Sequence, residues 1–298
     1  MDRKRSNMRL NKRWKSGLKI SAAVLLTAWI FICQFMLQDR VSDNDNKNLF
    51  SKKGISLYTS SFAIGDRHLH YARVGAENLP TLVFIHGSPG SLSHFRNYLQ
   101  GSQLIKRYRM FAIDRPGFGY SDFGNTTNLL NQAKYISTFI DSIDNKKPIF
   151  LVGHSIAGGL LIKLAALDPN KINGLVMLAC SVDPKQERNG FWRPIITYSP
   201  LRWLIPVAFR YSNEEQWGLN DDLEKLKADF PSVKCPVYIF HGDADKNVSI
   251  ENAYYAKTNL FNAAKVELTV LSGEDHFIVW SRYEEIRNKL LSLLNDKR

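Results

Sequence analysis

The pentapeptide Gly153-His154-Ser155-Ile156-Ala157 constrains the fold more than any other part of this sequence. It lies between an apolar run, 148–152, and a longer stretch of helical character, 156–167. A strand that passes directly into a helix through a serine must turn so sharply that the residues two before and two after it have to be small. Gly153 and Ala157 meet this requirement, although glycine is usual at the second position. The alternative is an ordinary strand-to-helix turn that happens to carry a serine.

Two further polar residues follow predicted strands near the end of the chain. A serine hydroxyl is a weak nucleophile that needs a positioned base, and the base needs an acid to hold its tautomer. His276 follows the predicted strand 265–271, and Asp245 follows the preceding strand, 236–240. Open parallel sheets place their sites at the carboxyl ends of their strands. The sequence therefore predicts Ser155 as nucleophile, His276 as base and Asp245 as acid.

Short apolar runs alternate with helical patterns, which predicts an α/β fold whose sheet is mostly parallel with right-handed crossovers. The predicted strands are 55–62, 67–74, 82–85, 110–113, 148–152, 174–179, 236–240 and 265–271. The predicted helices are 91–99, 129–143, 156–167, 250–260 and 283–294. The first two strands, joined at Gly65-Asp66, are predicted to form a hairpin. The alternation breaks between about 183 and 232, which predicts an insert.

Positive charge is concentrated at the beginning of the chain. The net charge is +12, and eight basic residues against Asp2 give +7 within residues 1–19. Residues 20–38 are uncharged and mostly apolar, and as a helix they would be about 28 Å long, close to the thickness of a bilayer core. A basic cluster before such a segment stays in the cytoplasm. This local excess explains the high pI, so nucleic-acid binding is not expected.

The predicted organisation has four parts: a basic cytoplasmic tail at 1–19, a transmembrane signal anchor at 20–38, a linker at 39–54, and an exported domain at 55–298. The domain would be periplasmic in a bacterium. A cleaved signal peptide is the alternative to an anchor, but the apolar run is long for one and no Ala-x-Ala-like cleavage site follows it. The oligomeric state is left open.

From residue 55 onward the sequence resembles the α/β-hydrolase superfamily. The motifs that carry the resemblance are His86-Gly87-Ser88-Pro89, the run from Asp114 to Ser121, Gly153-His154-Ser155, and the loops that hold Asp245 and His276. The resemblance implies a central sheet flanked by helices, with a short helical cap in the insert at about 183–232. It also implies that the N–H groups of Ser88 and Ile156 form an oxyanion hole. The spacing Gly-x-x-Asp-x-x-Val favours Asp245 over Asp243 as the acid, and Asp183 is a more remote alternative.

The leading functional interpretation is a membrane-anchored serine hydrolase that acts on a small-molecule or lipid carboxylic ester through an acyl-enzyme. A proline-iminopeptidase-like peptidase is an alternative, although Ser88 replaces the second glycine of that family's His-Gly-Gly-Pro-Gly loop. A carbon–carbon bond hydrolase would use the same triad. A tethered, non-catalytic binding protein is the alternative outside enzymes, and the intact triad argues against it. Neither a metal nor an organic cofactor is implied, since the Cys and His positions lack metal-ligand spacing.

Other prominent residues are expected to have structural roles. His86, His154 and His241 are predicted to hydrogen-bond or pack beside the site, and Asp114 and Arg115 to brace loops. The aromatic residues of the insert are expected to form the apolar underside of a cap. In the alternative interpretation they dip into the bilayer, with Arg193, Arg202 and Arg210 meeting lipid phosphates.

Overall fold

The computed structural model describes residues 2–187, 190 and 192–295, with side chains from residue 14 onward. Met1, residues 188, 189 and 296–298, and Phe191 of the predicted cap lie outside the described residues. The first residue of the predicted tail and the last three residues of the predicted domain are therefore not described.

An eight-stranded sheet forms the centre of the fold. Its strands are β1 Tyr58–Ile64, β2 Arg67–Val74, β3 Thr81–Ile85, β4 Arg109–Ile113, β5 Ile149–His154, β6 Ile172–Leu178, β7 Val237–Gly242 and β8 Val266–Leu271. The spatial order is β1-β2-β4-β3-β5-β6-β7-β8. The β1–β2 and β2–β4 pairs are antiparallel and the other pairs are parallel. The mostly parallel sheet and its leading hairpin are as predicted.

Helices cover both faces of this sheet. The helices of the described residues, including those that do not pack on the sheet, are α1 Asp2–Phe31, α2 Asp43–Ser51, α3 Arg96–Leu99, α4 Ser102–Ile105, α5 Leu129–Ser142, α6 Ala157–Leu167, α7 Arg193–Tyr198, α8 Val207–Leu226, α9 Glu251–Asn259, α10 Ile278–Ser281 and α11 Tyr283–Ser292. A π-helical turn, Ile32–Met36, continues α1. Short 3₁₀ turns occupy Leu92–Phe95, Pro184–Gln186, Pro200–Leu204 and Phe230–Ser232.

The two faces of the sheet build two separate hydrophobic cores. Alternation along β3 shows the division, because Val83 packs with the layer of α5, α6, α8 and α9, whereas Phe84 packs with the layer of α3, α4, α10 and α11. Strands that are buried on both faces read as continuous apolar runs, which is why β3 and β5 were recognisable in the sequence. Gly159 keeps α6 close to α5, since a Cβ there would lie 2.5 Å from Cδ1 of Leu129.

The segment before the sheet departs from its predicted form. Residues Trp14–Met36 are long and apolar enough to cross a membrane, and only 6% of the most apolar window within them is buried. This stretch overlaps the predicted anchor at 20–38, and α1 continues toward the N-terminus through Lys19 and Lys15. The predicted linker 39–54 contains α2, whose side chain Phe50 is buried against the α3–α11 layer. Polar composition concealed this helix.

Candidate active site

The turn after β5 places the Ser155 side chain at the carboxyl edge of the sheet. Ser155 has φ 59°, in the left-handed region that non-glycine residues seldom adopt. A Cβ on Gly153 would lie 3.1 Å from Cβ of Ala157 and closer still to Leu161. This crowding explains why glycine is needed at position 153, two residues before the serine. The turn also shows that alanine fits at position 157, two residues after the serine.

His276 and Asp245 complete a chain of hydrogen bonds with this serine. His276 Nε2 lies 3.0 Å from Oγ of Ser155, and its Nδ1 lies 2.8 Å from Oδ2 of Asp245. The Asp245 side chain is fully buried and that of His276 is 9% exposed. The structure thus brings together the three residues that the sequence singled out, each just after the carboxyl end of a different strand.

The Asp245 carboxylate is held as an anion by its neighbours. Burial raises the pKa of Asp245, but the hydrogen bond with His276 and the backbone N–H groups of Val248 and Asn247 outweigh burial and hold the pKa below its ordinary value. Both N–H groups donate to Oδ1 at 2.8 Å, which leaves Oδ2 for His276. An anion fixed in this way keeps the proton of the neutral His276 ring on Nδ1, so that Nε2 faces the serine as a base.

The rival acids are occupied elsewhere. Asp243 accepts a hydrogen bond from the backbone N–H of Gly273 at 2.7 Å. Asp183 caps the turn Pro184–Gln186 through the N–H of Lys185 at 3.0 Å. Neither contact involves His276, so the geometry favours Asp245.

Two further histidines brace the site, as the sequence predicted for them. His154 Nε2 contacts the carbonyl oxygen of His276 at 3.0 Å, and His241 Nε2 contacts that of Val248 at 2.9 Å. Burial, aided by the nearby His276, lowers the pKa of His154 to about 3. His154 is therefore neutral and can donate from Nε2 to the histidine loop.

The loop after β3 supplies the predicted oxyanion-hole residue Ser88. A Cβ on Gly87 would lie 3.1 Å from Cβ of Ser155, so glycine allows the loop to approach the serine closely. Ile156 precedes the first residue of α6, where backbone N–H groups lack carbonyl acceptors within the helix and the helix dipole is positive. Ser88 and Ile156 line the same cavity as Ser155. Their donation to an oxyanion stays a prediction.

Comparison with known proteins agrees with the architecture. Residues 80–204 match the family model of the alpha/beta hydrolase fold. A putative lipase from Acinetobacter baumannii AYE superposes with a TM-score of 0.65 at 21% identity, covering 86% of this chain and 98% of that one. A membrane phospholipase A described as a bacterial virulence factor superposes with a TM-score of 0.63 at 20% identity, covering 95% of this chain and 98% of that one.

The chain has the α/β-hydrolase fold. Among curated proteins this chain is similar to protein bem46 of Schizosaccharomyces pombe, with 23% identity over 206 residues, which are 65% of this chain and 60% of that protein. The chain spans 60% or less of the length of the first curated relatives it matches. The fold implied by the resemblance in the sequence motifs is confirmed.

A cavity of about 650 Å³ opens at Ser155. The insert contributes Glu187, Arg193, Phe209 and Gln216 to its lining, and the segment after the N-terminal helix contributes Asp39. No sequence pattern indicated Asp39, because its place in the lining depends on how the N-terminal segment folds back over the domain. Burial raises the pKa of Glu187, whose carboxylate meets the hydroxyl of Ser181.

A buried ion pair between Arg115 and Glu215 joins the insert to the sheet. Glu215, like Asp39, was not predicted from the sequence. Arg115, which follows β4, donates from Nη2 to Oε2 of Glu215 on α8 at 2.9 Å. Gln132 on α5 also donates to Glu215, at 2.7 Å. Burial raises the pKa of Glu215, but Arg115 and Gln132 reverse the effect and hold the pKa below its ordinary value. The bracing role predicted for Arg115 is confirmed.

Asp114 likewise braces loops. Its carboxylate accepts from the backbone N–H groups of Leu92 and Tyr120, at 2.7 and 2.9 Å. His86 Nε2 accepts from the N–H of Arg115 at 2.9 Å, so that the loops after β3 and β4 are tied together behind the serine.

The aromatic residues of the insert do not form the apolar underside predicted for them. Trp192, Tyr198, Leu201 and Trp203 are exposed, and Phe209 is the aromatic of α8 that lines the cavity. The arginines also differ from the alternative interpretation. Arg193 contacts Asn213 and Gln216, and Arg210 is buried against Gln34. Of the three, Arg202 is half-buried, with its guanidinium over the ring of Trp203 at 6.0 Å.

Metal-ligating side chains do not gather in the part of the chain described here: no group of three or more His, Cys, Asp or Glu residues is placed to hold an ion.

Proposed function

We propose that this α/β hydrolase is a membrane-anchored serine hydrolase that cleaves carboxylic esters through an acyl-enzyme. The supporting observation is the hydrogen-bonded series Ser155–His276–Asp245 at the mouth of a cavity large enough for a drug-sized or acyl ligand. The helix that includes Trp14–Met36 supports the anchoring. The proteins of similar fold include a lipase and a phospholipase, which is consistent with an ester substrate.

The proposed reaction follows from the positions of the protons. Oγ of Ser155 attacks the ester carbonyl carbon as Nε2 of His276 takes the hydroxyl proton, while Asp245 stabilises the imidazolium through Nδ1–H. The carbonyl oxygen becomes an oxyanion that accepts from the N–H groups of Ser88 and Ile156, and losing one such donor costs about 3 kcal/mol of barrier. His276 then protonates the departing alkoxide, and water hydrolyses the acyl-enzyme by the same steps.

A fluorophosphonate probe and a panel of ester, amide and lactone substrates test the proposal on the full-length protein in detergent. The wild type should be labelled and should hydrolyse esters, while Ser155→Ala should lose labelling and about 10⁶-fold in turnover with its fold intact. Circular dichroism of the variant is the folding control. A folded Ser155→Ala protein that keeps most of its esterase activity would remove Ser155 from this role.

The same experiment separates the hydrolase from a tethered binding protein. A wild-type protein that is folded but neither labelled nor active on any substrate of the panel would favour the non-catalytic interpretation. Preference for amides or for carbon–carbon bonds would keep Ser155 as nucleophile and change the substrate class.

A further inference from the structure

The insert carries an exposed apolar surface beside the N-terminal helix. This surface, called the cap surface below, comes from the segment before α7, from α7 itself, from the turn Pro200–Leu204 and from the start of α8. Its members are Trp192, Ile195, Tyr198, Leu201, Trp203 and Phe209, and Tyr198 is the most exposed at 74%. Large apolar groups clustered at a protein surface indicate an interaction site.

Hydrogen bonds join the cap surface to the last turns of the helix that spans Trp14–Met36. Trp29 Nε1 donates to the carbonyl oxygen of Leu204 at 2.9 Å. Gln34 Nε2 donates to the carbonyl oxygens of Trp203 and Ile205, at 3.1 and 3.2 Å, and Arg210 donates to Oε1 of Gln34 at 3.1 Å. Cys33, between these positions, is fully buried. This contact between the cap surface and the last turns of the helix, called the seam below, is therefore a packed contact within the chain.

The position of the seam along the helix fixes the depth of the cap surface. A helix of the length of Trp14–Met36 measures about 34 Å, slightly more than the hydrocarbon core of a bilayer. Trp29 lies about 10 Å from Met36 along such a helix. If the helix crosses the bilayer, the segment bonded to its last 10 Å lies at the boundary of headgroups and acyl chains.

The charged residues of the cap surface are all basic, which suits contact with a membrane interface. Residues 192–209 contain Arg193 and Arg202 and neither aspartate nor glutamate. Arg193 is engaged by amide oxygens at the cavity, while the half-buried Arg202 lies beside Trp203. Tryptophan, tyrosine and arginine next to apolar residues are the composition of segments that lie in the interface.

The cap surface is continuous with the mouth of the cavity. Phe209 belongs to the cap surface and also lines the cavity that holds Ser155. From the other side, Asp39 lines the same cavity only three residues after Met36, the end of the candidate span. Both borders of the mouth thus lie within a few residues of the membrane surface.

We infer that the cap surface lies in the outer part of the lipid bilayer, where it holds the mouth of the cavity against the membrane so that an acyl ester enters from the lipid phase. This inference rests on the proposed membrane anchoring and specifies the source of the proposed ester substrate. Apolar side chains in the lipid and Arg202 near the phosphates would fix the orientation of the domain that the anchor alone leaves free.

Site-directed fluorescence in vesicles tests the contact directly. Tyr198→Cys in the full-length protein is labelled with bimane and reconstituted in phosphatidylcholine vesicles with and without brominated acyl chains. Phe261→Cys is the matched control. Phe261 is 68% exposed and precedes β8, so it lies at the amino ends of the parallel strands, opposite to the carboxyl ends where Ser155 lies. The unsubstituted protein, whose cysteines are buried, gives the background labelling.

Quenching by the brominated lipid should be at least ~3-fold stronger at position 198 than at position 261, as expected for a segment inserted at the interface. Equal quenching at the two positions would overturn the inference. A label at 198 that is shielded from water but not quenched by brominated lipid would also overturn it, since a second protein copy would then cover the surface.

Activity supplies an independent readout. Tyr198→Ser/Leu201→Ser, outside the cavity lining, should lower the rate on an ester embedded in vesicles by about 10-fold or more, while hydrolysis of a soluble short-chain ester changes less than ~2-fold. Unchanged rates on both substrates would refute delivery from the lipid. An active wild type without quenching at 198 refutes the cap surface alone, whereas strong quenching in a wild type that is inert to all esters refutes the hydrolase function alone.

Discussion

Ser155 owes its position to the small residues around it. Its left-handed backbone turns the chain from β5 into α6, and the turn closes because Gly153 and Ala157 leave room for each other. Strain of this kind, of order 1–3 kcal/mol, persists only where the surrounding structure enforces it. Here the packed β5 and α6 do so, and the hydroxyl is consequently aimed at His276 instead of at the interior of the sheet.

The choice of acid gives a prediction for a single residue. Asp245→Asn should lower the turnover of esters by about 10⁴-fold, because a neutral amide no longer enforces the tautomer that leaves Nε2 of His276 free to accept a proton. Asp243→Asn should have a small effect, since asparagine can still accept from the N–H of Gly273. The measurement is kcat for both variants on the same ester.

Matched unfolding curves of the two variants would show that any difference is not one of stability. If Asp243→Asn proved the more damaging, the acid would have to be moved to Asp243. If both variants remained active, Asp183 would become the candidate.

At the scale of elements, the sequence predicted what is local and missed what joins distant segments. All eight strands were recognisable. The buried parallel strands are continuous apolar runs bounded by turn residues, and the antiparallel β1 and β2 were recognisable as a hairpin joined at Gly65-Asp66. The residues at their carboxyl ends followed from motif and order. The helix α2 and the roles of Glu215 and Asp39 were not predictable, since each depends on a contact with a segment far along the chain. Polar segments carry no periodic signal of such contacts.

The ion pair between the loop after β4 and helix α8 should stabilise the attachment of the insert. The Arg115 and Glu215 side chains are 1% and 6% exposed. Glu215→Leu leaves the guanidinium buried without its carboxylate and should lower the free energy of unfolding by about 3–5 kcal/mol. The double variant Arg115→Met/Glu215→Leu should be less destabilised than the single one. Urea unfolding in detergent measures the complete double-mutant cycle, and additive costs would contradict coupling of the pair.

Helix α2 is held to β2 by a histidine whose contribution depends on pH. His70 lies 3.1 Å from Asp43 on α2 and 2.9 Å from Asp114. Burial lowers the pKa of His70, but the two carboxylates outweigh burial and raise it above the ordinary value of 6.5. A histidine with a raised pKa stabilises the folded state fully below the unfolded-state pKa, and the contribution is lost as pH rises through the folded-state pKa.

We therefore expect His70→Gln to be most destabilising at acidic pH, above the range where carboxylates titrate, and less so as pH rises past 6.5. Free energies of unfolding of wild type and variant, measured over a pH series, give the difference. His68→Gln is the control on the same strand, since the His68 side chain is 58% exposed. A difference for His70→Gln that is constant or grows with pH would contradict the assignment.

For the whole molecule, the end of the candidate span and the carboxyl edge of the sheet lie on the same side. The segment after Met36 folds over the carboxyl edge, where Asp39 meets the cavity and Arg40 stacks on Tyr120 at 4.7 Å. If the helix is an anchor, as we propose, a flexible linker would let the domain turn freely above the membrane. The contacts of Asp39 and Arg40 would instead restrict that freedom and hold the cavity near the point where the chain leaves the bilayer.

The distribution of charge predicts which side of the membrane this is. Residues 1–19 carry +7 of the chain's net +12, and positive residues next to an anchor remain in the cytoplasm. The domain that follows the span should therefore be exported. An alkaline phosphatase fused after Arg298, active only when exported, should be active, and external protease should digest the domain in spheroplasts. Replacing the basic residues of the tail with glutamine should lower the exported fraction, because the charge bias near the span sets the orientation. A well-expressed but inactive fusion, together with a protease-protected domain, would place the hydrolase in the cytoplasm.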